Sequence, residues 1–325
     1  MRTWLKAIPT WLKFLHPKVF SGRCIIVERN GGLGDVLCLL PALAALRRRH
    51  PDARLMVITS RWLIPMVRLA QVADAVLPSG ARGLAWLRRQ IHPILDCHAL
   101  LPDELEPPQP RRRVHLMTEF ARVLGVGDLP LTYPQITAPS NARTRVRALL
   151  QEMDLCCRPL VVVHGGPTWP VKQWPVQHWQ ALTTRLRNEC GVKVIQAGRD
   201  GHPGDPAERT PRVPGAYDWV NRLSLMETAA LLSQAKLFIG IDSGLLHLAH
   251  ALRVPALGLF GPTDPACFLP PDRLESGMTA LLPCIGCHHH AEGPLHWRTG
   301  CPYEIQCMSE LGVDEVAQRC LRLLA

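Results

Sequence analysis

The stretch CIIVERNGGLGD, residues 24–35, decides the expected fold. Its first four residues are apolar and mostly β-branched, which is typical of a strand buried on both faces in a parallel sheet. Three glycines between residues 31 and 34 predict a turn, and residues 35–49 carry a helical pattern. A strand, a glycine-rich turn and a helix in this order predict an α/β unit whose turn lies at the ligand-binding edge of the sheet.

This alternation continues through the chain and starts again near residue 150. Further strand-like runs lie at 54–59, 73–77, 94–96, 160–164, 192–196, 237–241 and 255–260. Helical patterns lie at 143–154, 179–190, 225–235, 247–252 and 313–324. The expected organisation is an N-terminal extension over residues 1–22, a first α/β domain over 23–142, and a second α/β domain over 143–325 with a Cys-rich segment at 283–307.

Composition restricts the class of protein. The 325 residues are 47% hydrophobic and 20% charged, which indicates a folded globular chain and excludes a disordered, collagen-like or coiled-coil protein. Twelve cysteines are too sparse for a secreted disulfide scaffold. The longest apolar run, residues 36–46, is shorter than the roughly 20 residues needed to cross a bilayer. Lys6 and Lys13 interrupt the apolar N-terminus, so no signal peptide is expected and the predicted location is cytoplasmic.

Charge is distributed unevenly. The net charge is +10; residues 1–150 hold 22 Lys and Arg against 10 Asp and Glu, whereas residues 151–325 hold 15 against 17. A basic first half favours contact with an anionic partner, although solubility alone also explains it. Residues 1–20 place Trp4 and Trp11 on one helical face, opposite Lys6 and Lys13. This helix either lies at the inner face of the cytoplasmic membrane or packs on the protein body.

Asp35 follows the first turn and has two interpretations. At the start of a helix, an acid stabilises the helix N-terminus, and spacing alone favours this role. A partly desolvated carboxylate facing a cleft is instead a general base. The turn is not a dinucleotide fingerprint, because Gly32-x-Gly34 is not followed by the third glycine of the Gly-x-Gly-x-x-Gly pattern. It is not a P-loop either, because no Gly-Lys-Ser/Thr follows.

Two later turns also follow strands. Residues 164–175 contain the Thr168 hydroxyl and the Lys172 ammonium, which are the ingredients of a phosphate clamp. Residues 240–247 place a Ser-Gly pair at the start of a helix, whose free N–H groups favour phosphate. Asp242 and Ser243 are alternatively simple N-caps. A hydrolase triad with Ser243 is disfavoured, because Gly-x-Ser-x-Gly is absent.

Four motifs in order carry a family resemblance. They are Gly34-Asp35 with Pro41, Lys172-x-Trp174-Pro175, the segment DSGLLHLA at 242–249, and GPTDP at 261–265. Together they resemble glycosyltransferase family 9, the bacterial ADP-heptose:lipopolysaccharide heptosyltransferases. The resemblance implies a GT-B fold, in which two Rossmann-like domains with parallel sheets face each other across a cleft. It also implies inverting transfer from a nucleotide sugar, with no metal needed for the transfer step.

The resemblance assigns roles to individual residues. Asp35 matches the proposed catalytic base, and Asp242 matches a residue near the donor sugar. The positions that match donor and diphosphate binding are Thr168, Lys172, Ser243, Gly244 and His247. Ribose recognition in the family is usually acidic, and Asp200 is a candidate for it.

The Cys-rich segment has the spacing C-x2-C-x13-C-x5-C, formed by Cys284, Cys287, Cys301 and Cys307. Four thiolates suit one tetrahedral zinc or iron ion, and one of residues 288–290 could replace a thiolate. The segment resembles heptosyltransferases of bacterial autotransporters, which carry a C-terminal Cys-bound iron. Unconnected reduced cysteines and a disulfide are the alternatives. A closed site leaves no open coordination position, so the ion is expected to be structural.

The favoured function is therefore an inverting glycosyltransferase that moves a sugar, best heptose from ADP-heptose, onto a hydroxyl of a lipopolysaccharide core or a protein. The alternative is a non-catalytic, metal-containing binding module that uses the basic half to bind an anionic partner such as nucleic acid. Three Tyr and six Phe offer few stacking platforms, and the Arg runs at 47–49 and 111–113 have no adjacent aromatic residue. No nucleic-acid partner is therefore expected.

Overall fold

The structure, a computed structural model, describes residues 24–81, 84, 94–96, 115–166, 169–201, 205, 209–289 and 301–325. The described residues divide into two compact units. The first contains the described residues up to 96 together with 117–134, and the second contains 115–116 and the residues from 135 onward. The proposed N-terminal extension, residues 1–22, lies outside the described residues.

The first unit is built on a four-stranded parallel sheet. Its strands are β1 (Cys24–Glu28), β2 (Arg54–Thr59), β3 (Ala75–Pro78) and β4 (Ile94–Asp96), in the order β3-β2-β1-β4. Its helices are α1 (Leu33–Arg49), α2 (Ile64–Leu69) and most of α3 (Leu116–Val123). Ile26 and Val27 of the central strand β1 are fully buried, as expected for a strand covered on both faces.

The second unit is built on a six-stranded sheet, again with every described pairing parallel. Its strands, in the sheet order β10-β9-β8-β5-β6-β7, are β5 (Leu160–His164), β6 (Lys193–Gln196), β7 (Tyr217–Asp218), β8 (Leu237–Ile241), β9 (Ala256–Leu259) and β10 (Gly277–Met278). The central strands β5 and β8 are buried at every position. The α/β fold class with parallel sheets is thereby confirmed.

The second unit has seven described α-helices; three of them begin three residues earlier than the sequence pattern indicated, and two begin at the indicated residue. They are α4 (Ser140–Glu152), α5 (Val176–Cys190), α6 (Leu225–Leu232), α7 (Gly244–Ala251), α8 (Pro265–Phe268), α9 (Gln306–Ser309) and α10 (Val313–Leu324). Helix α5 starts directly after Pro175, and α7 starts directly after Ser243. Apolar periodicity alone misses such first turns, because their residues are held by backbone geometry rather than by burial.

From residue 135 onward the chain belongs to the second unit. Helix α4 packs against α6 and belongs to the second unit from its first residue, Ser140. The proposed domain limits of 23–142 and 143–325 stay a prediction. The proposed boundary falls inside α4, which spans Ser140–Glu152. In the described part of the chain, every helix is too short or too polar to cross a membrane.

Candidate active site

The carboxyl ends of three strands in the second unit bring a set of polar side chains together. Lys172 lies after β5, Asp242 directly after β8, and Thr263 after β9. The Nζ of Lys172 lies 2.6 Å from Oδ2 of Asp242, and the Thr263 hydroxyl donates to the same oxygen at 2.7 Å. His247 lies one helical turn further, with Nε2 3.9 Å from Oδ1 of Asp242. We call Lys172, Asp242, Thr263 and His247 the polar cluster.

The polar cluster holds charge away from water. The side chains of Lys172 and Asp242 are 8% and 6% exposed. Burial opposes ionisation of Asp242, but the charges of Lys172 and His247 and the bonds donated by Lys172 and Thr263 together lower its pKa below the ordinary value. The Asp242 side chain is therefore ionised, and the ammonium of Lys172 neutralises its negative charge. Lys172, which is proposed to bind the diphosphate, is thus also one partner of a buried ion pair.

Aromatic side chains position the Lys172 loop. The Nζ of Lys172 lies 4.0 Å from the ring centroid of Trp169, a cation–π contact. The indole N–H of Trp174 donates to the backbone oxygen of Leu311 at 2.9 Å, and its ring meets Trp179 edge-on at 5.0 Å. Trp174 is buried, so the tryptophan of the Lys172-x-Trp174 motif anchors the loop to the core. Trp169 was missed by sequence reasoning, because a lone Trp carries no periodic signal.

Ser243 begins helix α7 but does not cap it in the usual way. It occupies the N-cap position, yet its side chain makes no capping hydrogen bond. Its Oγ is buried and has no hydrogen-bond partner within the described structure. A buried hydroxyl of this kind is costly unless a ligand satisfies it, and helix N-termini favour anions. Together with Gly244, Ser243 therefore offers an unused hydroxyl and free backbone N–H groups beside the polar cluster.

Both carboxylate oxygens of Asp35 accept hydrogen bonds within the first unit. Its Oδ2 accepts the Gly32 N–H at 2.8 Å, which completes a capping interaction at the start of α1. Its Oδ1 accepts from Nη2 of Arg29 at 2.7 Å. The helix-stabilising role expected from spacing is therefore present, while 28% of the side chain stays exposed. The carboxylate is therefore partly open to solvent.

Arg29 is a site residue that sequence reasoning missed. Its side chain is 4% exposed, and its guanidinium carbon lies 5.5 Å from the centroid of the Phe120 ring. A buried guanidinium paired with one carboxylate fixes the position of that carboxylate. Gly31 supports the same geometry: its φ is +151°, and a Cβ there would lie 2.8 Å from Oδ2 of Asp35. The signal available in the sequence was the location of Arg29 immediately after strand β1.

Of two further candidates, Thr168 and Asp200, the structure describes only Asp200. Thr168 lies outside the described residues, so its assignment stays a prediction. Asp200 accepts from the Thr210 N–H at 2.8 Å, from Asn221 at 2.8 Å, and from Arg212 at 3.3 Å. The Arg212 bond is the largest influence on its pKa, which lies far below the ordinary value. Asp200 thus ties together the loop that follows β6.

The four cysteines of the Cys-rich segment line one cavity of about 200 Å³, together with Val171 and Tyr303 among other residues. The four are Cys284, Cys287, Cys301 and Cys307, and all are free thiols, so the disulfide alternative is not observed. The Tyr303 N–H lies 3.4 Å from the Cys301 sulfur, the type of contact that supports a thiolate ligand. Within the described ranges, no group of three or more His, Cys, Asp or Glu side chains is already arranged to hold a metal ion.

Burial and neighbouring thiols raise the pKa of two cysteines in this cavity. Burial, followed by the neighbouring cysteines, raises the pKa of Cys287 to about 11 and that of Cys307 to about 12. The backbone joins the cavity to the fourth motif, GPTDP at 261–265, because the Gly286 N–H donates to the Gly261 oxygen at 2.9 Å. His288 lies next to the cavity and contacts Trp169, with ring centroids 5.3 Å apart. The cavity and the polar cluster are therefore connected through Trp169.

Solved structures resemble this fold. The iron-containing dodecameric glycosyltransferase TibC from enterotoxigenic E. coli matches 93% of this chain and 78% of its own, with a TM-score of 0.71 and 22% identity. The E. coli ADP-heptose lipopolysaccharide heptosyltransferase II matches 93% of this chain and 98% of its own, with a TM-score of 0.65 and 18% identity. At these identities the likeness shows the fold, which is of the GT-B type.

Some relatives in sequence match less than half of this chain, and others match most of it. Lipopolysaccharide heptosyltransferase 1 of Pseudomonas aeruginosa is 34% identical over 144 residues, which cover 43% of this chain and 39% of that protein. Lipopolysaccharide heptosyltransferase 2 of Salmonella typhimurium is 26% identical over 298 residues, which cover 76% of this chain and 85% of that protein. The model of glycosyltransferase family 9 (heptosyltransferase) matches residues 68–292. With that match over more than half of its length, and with the strand-end turns described above, the chain belongs to glycosyltransferase family 9.

Proposed function

We propose that the protein transfers heptose from ADP-heptose to a hydroxyl of a lipopolysaccharide core or of a protein. The observation that carries the proposal is the unused anion-binding group beside the polar cluster, formed by the Ser243 hydroxyl and the start of helix α7. The family membership supports the reaction class, and TibC has been solved in complex with ADP-D-β-D-heptose.

The donor diphosphate would bind at the N-terminus of α7. Ser243 Oγ and the backbone N–H groups of Gly244 and Leu245 would donate to phosphate oxygens. Lys172 would be shared between Asp242 and the diphosphate, as its 2.6 Å contact to Asp242 places its ammonium at this edge of the sheet. Charge builds on the leaving diphosphate during transfer, so donors fixed beforehand stabilise the transition state more than the ground state.

The acceptor would be activated by Asp35. A carboxylate oxygen of Asp35 takes the proton of the acceptor hydroxyl while that oxygen forms a bond to the anomeric carbon of the sugar. The bond between the anomeric carbon and the diphosphate oxygen breaks with its electron pair, and ADP leaves. One such in-line displacement inverts the anomeric configuration. Arg29 would hold the Asp35 side chain in place between turnovers, through its 2.7 Å contact.

We propose further that the four cysteines hold one structural iron or zinc ion. They come from two chain segments and line a single cavity, and the backbone of Tyr303 contacts one sulfur. Four thiolates from one cavity are a ligand set that suits a single zinc or iron ion. TibC is described as iron-containing, which supports iron as the first candidate. When bound, the ion would supply crosslinking of residues 284–287 to residues 301–307.

The proposed location is the cytoplasm, with peripheral contact at the inner membrane face through residues 1–20 as a further proposal. The basic first half suits an acceptor that carries phosphate, as a lipopolysaccharide core does. The proposed membrane contact lies outside the described residues.

One experiment tests the donor and the acceptor together. The full chain is incubated with ADP-heptose and, in separate reactions, with a heptose-deficient lipopolysaccharide core or with candidate acceptor proteins. Release of ADP with a mass increase of one heptose on the core supports the lipopolysaccharide acceptor, and the same increase on a protein supports the protein acceptor. Absence of ADP release with every acceptor, while salt-sensitive nucleic-acid binding is present, would instead support the binding-module alternative.

A further inference from the structure

Four arginines line a second cavity in the second unit. It lies at the ends of the strands opposite to those that carry the polar cluster. Its volume is about 320 Å³. The four are Arg253, Arg273, Arg319 and Arg322, and the cavity is also lined by His250, Glu275 and Ser276. We call it the arginine cavity.

The topology separates this cavity from the donor site. Ser243 lies at the start of helix α7, whereas His250 and Arg253 lie at its other end, followed by the first residues of β9. Eight helical residues span about 12 Å at 1.5 Å per residue. The arginine cavity therefore lies at the amino ends of the strands, and the reaction proposed above does not use it.

The charge balance of the arginine cavity is strongly positive. Residues 151–325 contain 15 Lys and Arg against 17 Asp and Glu, yet four of those cations line this single cavity. Glu275 is the one acid in the lining, and Asp272 lies 3.6 Å from Arg273 outside it. Even with both acids counted, two positive charges are left over. Like charges around one cavity repel each other, and a bound anion removes that repulsion.

Backbone conformation gives a second, independent observation. Arg253 follows helix α7 with a φ of +59°, a left-handed position where glycine is the usual residue. Its N–H donates to the His250 oxygen at 2.9 Å, and the next N–H, of Val254, donates to Ala249 at 2.9 Å, so the turn is a regular helix end. An arginine at such a position costs stability relative to glycine, and here it contributes a guanidinium to the cavity.

The lining provides directional contacts as well as charge. Arg319 donates to the backbone oxygen of Glu275 at 2.9 Å, which fixes this side chain at the cavity wall. Ser276 and His250 are 7% and 8% exposed, and the Ser276 hydroxyl lies 3.3 Å from Nε2 of His250. Guanidinium groups match phosphate oxygens in a two-point geometry, whereas the Ser276 hydroxyl already donates to the Arg273 backbone oxygen at 2.6 Å.

From these observations we propose that the arginine cavity is a binding site for a compact phosphoryl-bearing anion, such as inorganic phosphate, pyrophosphate or the phosphate of a larger molecule. A volume of about 320 Å³ accommodates a phosphate ester of small size. The phosphoryl group has two potential sources, a free phosphate ester in solution or a phosphorylated lipid headgroup, and the same side chains would recognise either.

The test uses the full chain and three variants. Arg253→Gly removes one guanidinium and is tolerated by the left-handed backbone, so this variant folds at least as well as the parent. Arg319→Gln with Arg322→Gln removes two more charges. Arg147→Gln, an exposed arginine of α4 outside the cavity, is the matched control. Phosphate and pyrophosphate are titrated by calorimetry with the donor site saturated by ADP.

The expected result is saturable binding to the parent and to Arg147→Gln, weakened about tenfold or more in Arg253→Gly and in the double variant, since each lost guanidinium removes charge-assisted hydrogen bonds. Co-sedimentation with phosphatidylcholine vesicles containing phosphatidic acid distinguishes the sources. Arginine-dependent sedimentation identifies a lipid phosphate, and arginine-dependent binding of the soluble anions alone identifies a free ester. Binding that is absent in the parent, or equal in all four proteins, would overturn the proposal.

Discussion

The ammonium of Lys172 and the carboxylate of Asp242, 70 residues apart in sequence, meet at 2.6 Å with both side chains less than one-tenth exposed. A buried pair of this kind serves two purposes at once. It joins the turns after β5 and β8, and it holds a cation at the edge of the sheet where the diphosphate is proposed to bind. A substitution at either position therefore affects both stability and ligand binding, and the two effects must be separated.

The first prediction separates those effects. Lys172→Met alone leaves Asp242 buried without its cation and should lower the free energy of unfolding by about 3–5 kcal/mol. Lys172→Met with Asp242→Asn removes both charges and should recover most of that loss. Neither variant should recover the parent affinity for ADP, because the cation is missing in both. Urea unfolding and calorimetric titration with ADP measure the two quantities.

If the double variant bound ADP as tightly as the parent, Lys172 would be a structural residue only. Equal destabilisation in the single and double variants would show that the ion pair is not the source of the stability.

The second prediction concerns Asp35. Asp35→Asn keeps an oxygen for the Gly32 N–H and loses the basic carboxylate, so turnover should fall by roughly 10²–10⁴ while ADP affinity is retained. Glu119→Gln is the matched control, since Glu119 is an acid of the same unit that pairs with Arg122 on the surface. Initial rates of ADP release with an active acceptor provide the measurement. Turnover within a few-fold of the parent would leave Asp35 with the helix-capping role alone.

The sequence was sufficient for the fold because its signals are local. A β-branched run followed by glycines and an apolar helix specifies a parallel α/β unit without knowledge of distant residues, and strands β1, β5 and β8 follow that pattern. Three residues of the polar cluster, Lys172, Asp242 and His247, were also recognisable, since they lie in or next to the turns that follow β5 and β8; Thr263 was part of a motif but was not assigned to the site.

What the sequence did not reveal is which of these residues touch. The Lys172 to Asp242 bond and the Trp169 contact to His288 depend on how β5, β8 and the Cys-rich segment pack. No local pattern encodes distances across so many residues. The arginine cavity was hidden for the same reason, because its cations come from separate segments of the chain.

The third prediction concerns metal. Protein expressed without an affinity tag should contain about one iron or zinc ion per chain, and Cys301→Ser should lose most of it. Cys156→Ser is the control, because Cys156 is an exposed free thiol far along the chain from the cluster. Removal of the ion should also weaken ADP binding, because His288 contacts Trp169 and Trp169 contacts Lys172. Elemental analysis and ADP titration before and after chelation provide the readouts.

A protein that holds less than a tenth of an equivalent of metal when purified anaerobically, and whose Cys301→Ser variant melts at the same temperature, would contradict the metal proposal. The four cysteines would then be unconnected thiols around an apolar cavity.

The fourth prediction concerns pH and rests on His250. Burial, together with the charges of His247 and Arg273, lowers the pKa of His250 to about 3 in the folded protein. The unfolded chain has a histidine pKa of about 6.5, so between these two values the unfolded state binds the extra proton. The contribution of neutral His250 to stability is therefore complete above about pH 6.5 and is lost progressively as the pH falls toward 3. Between pH 7 and pH 5, this single group should lower the free energy of unfolding by about 2 kcal/mol.

His250→Gln isolates the contribution, because glutamine keeps a polar partner for Ser276 but does not titrate. Urea unfolding of the parent and the variant is compared at pH 7 and pH 5 in a buffer without phosphate, since an anion in the arginine cavity would favour the protonated ring. The variant should be less stable than the parent at pH 7, and the difference should shrink by about 2 kcal/mol at pH 5. A difference that is the same at both pH values would show that His250 is protonated to the same extent in the folded and unfolded chains, and that the burial of its ring does not control its charge.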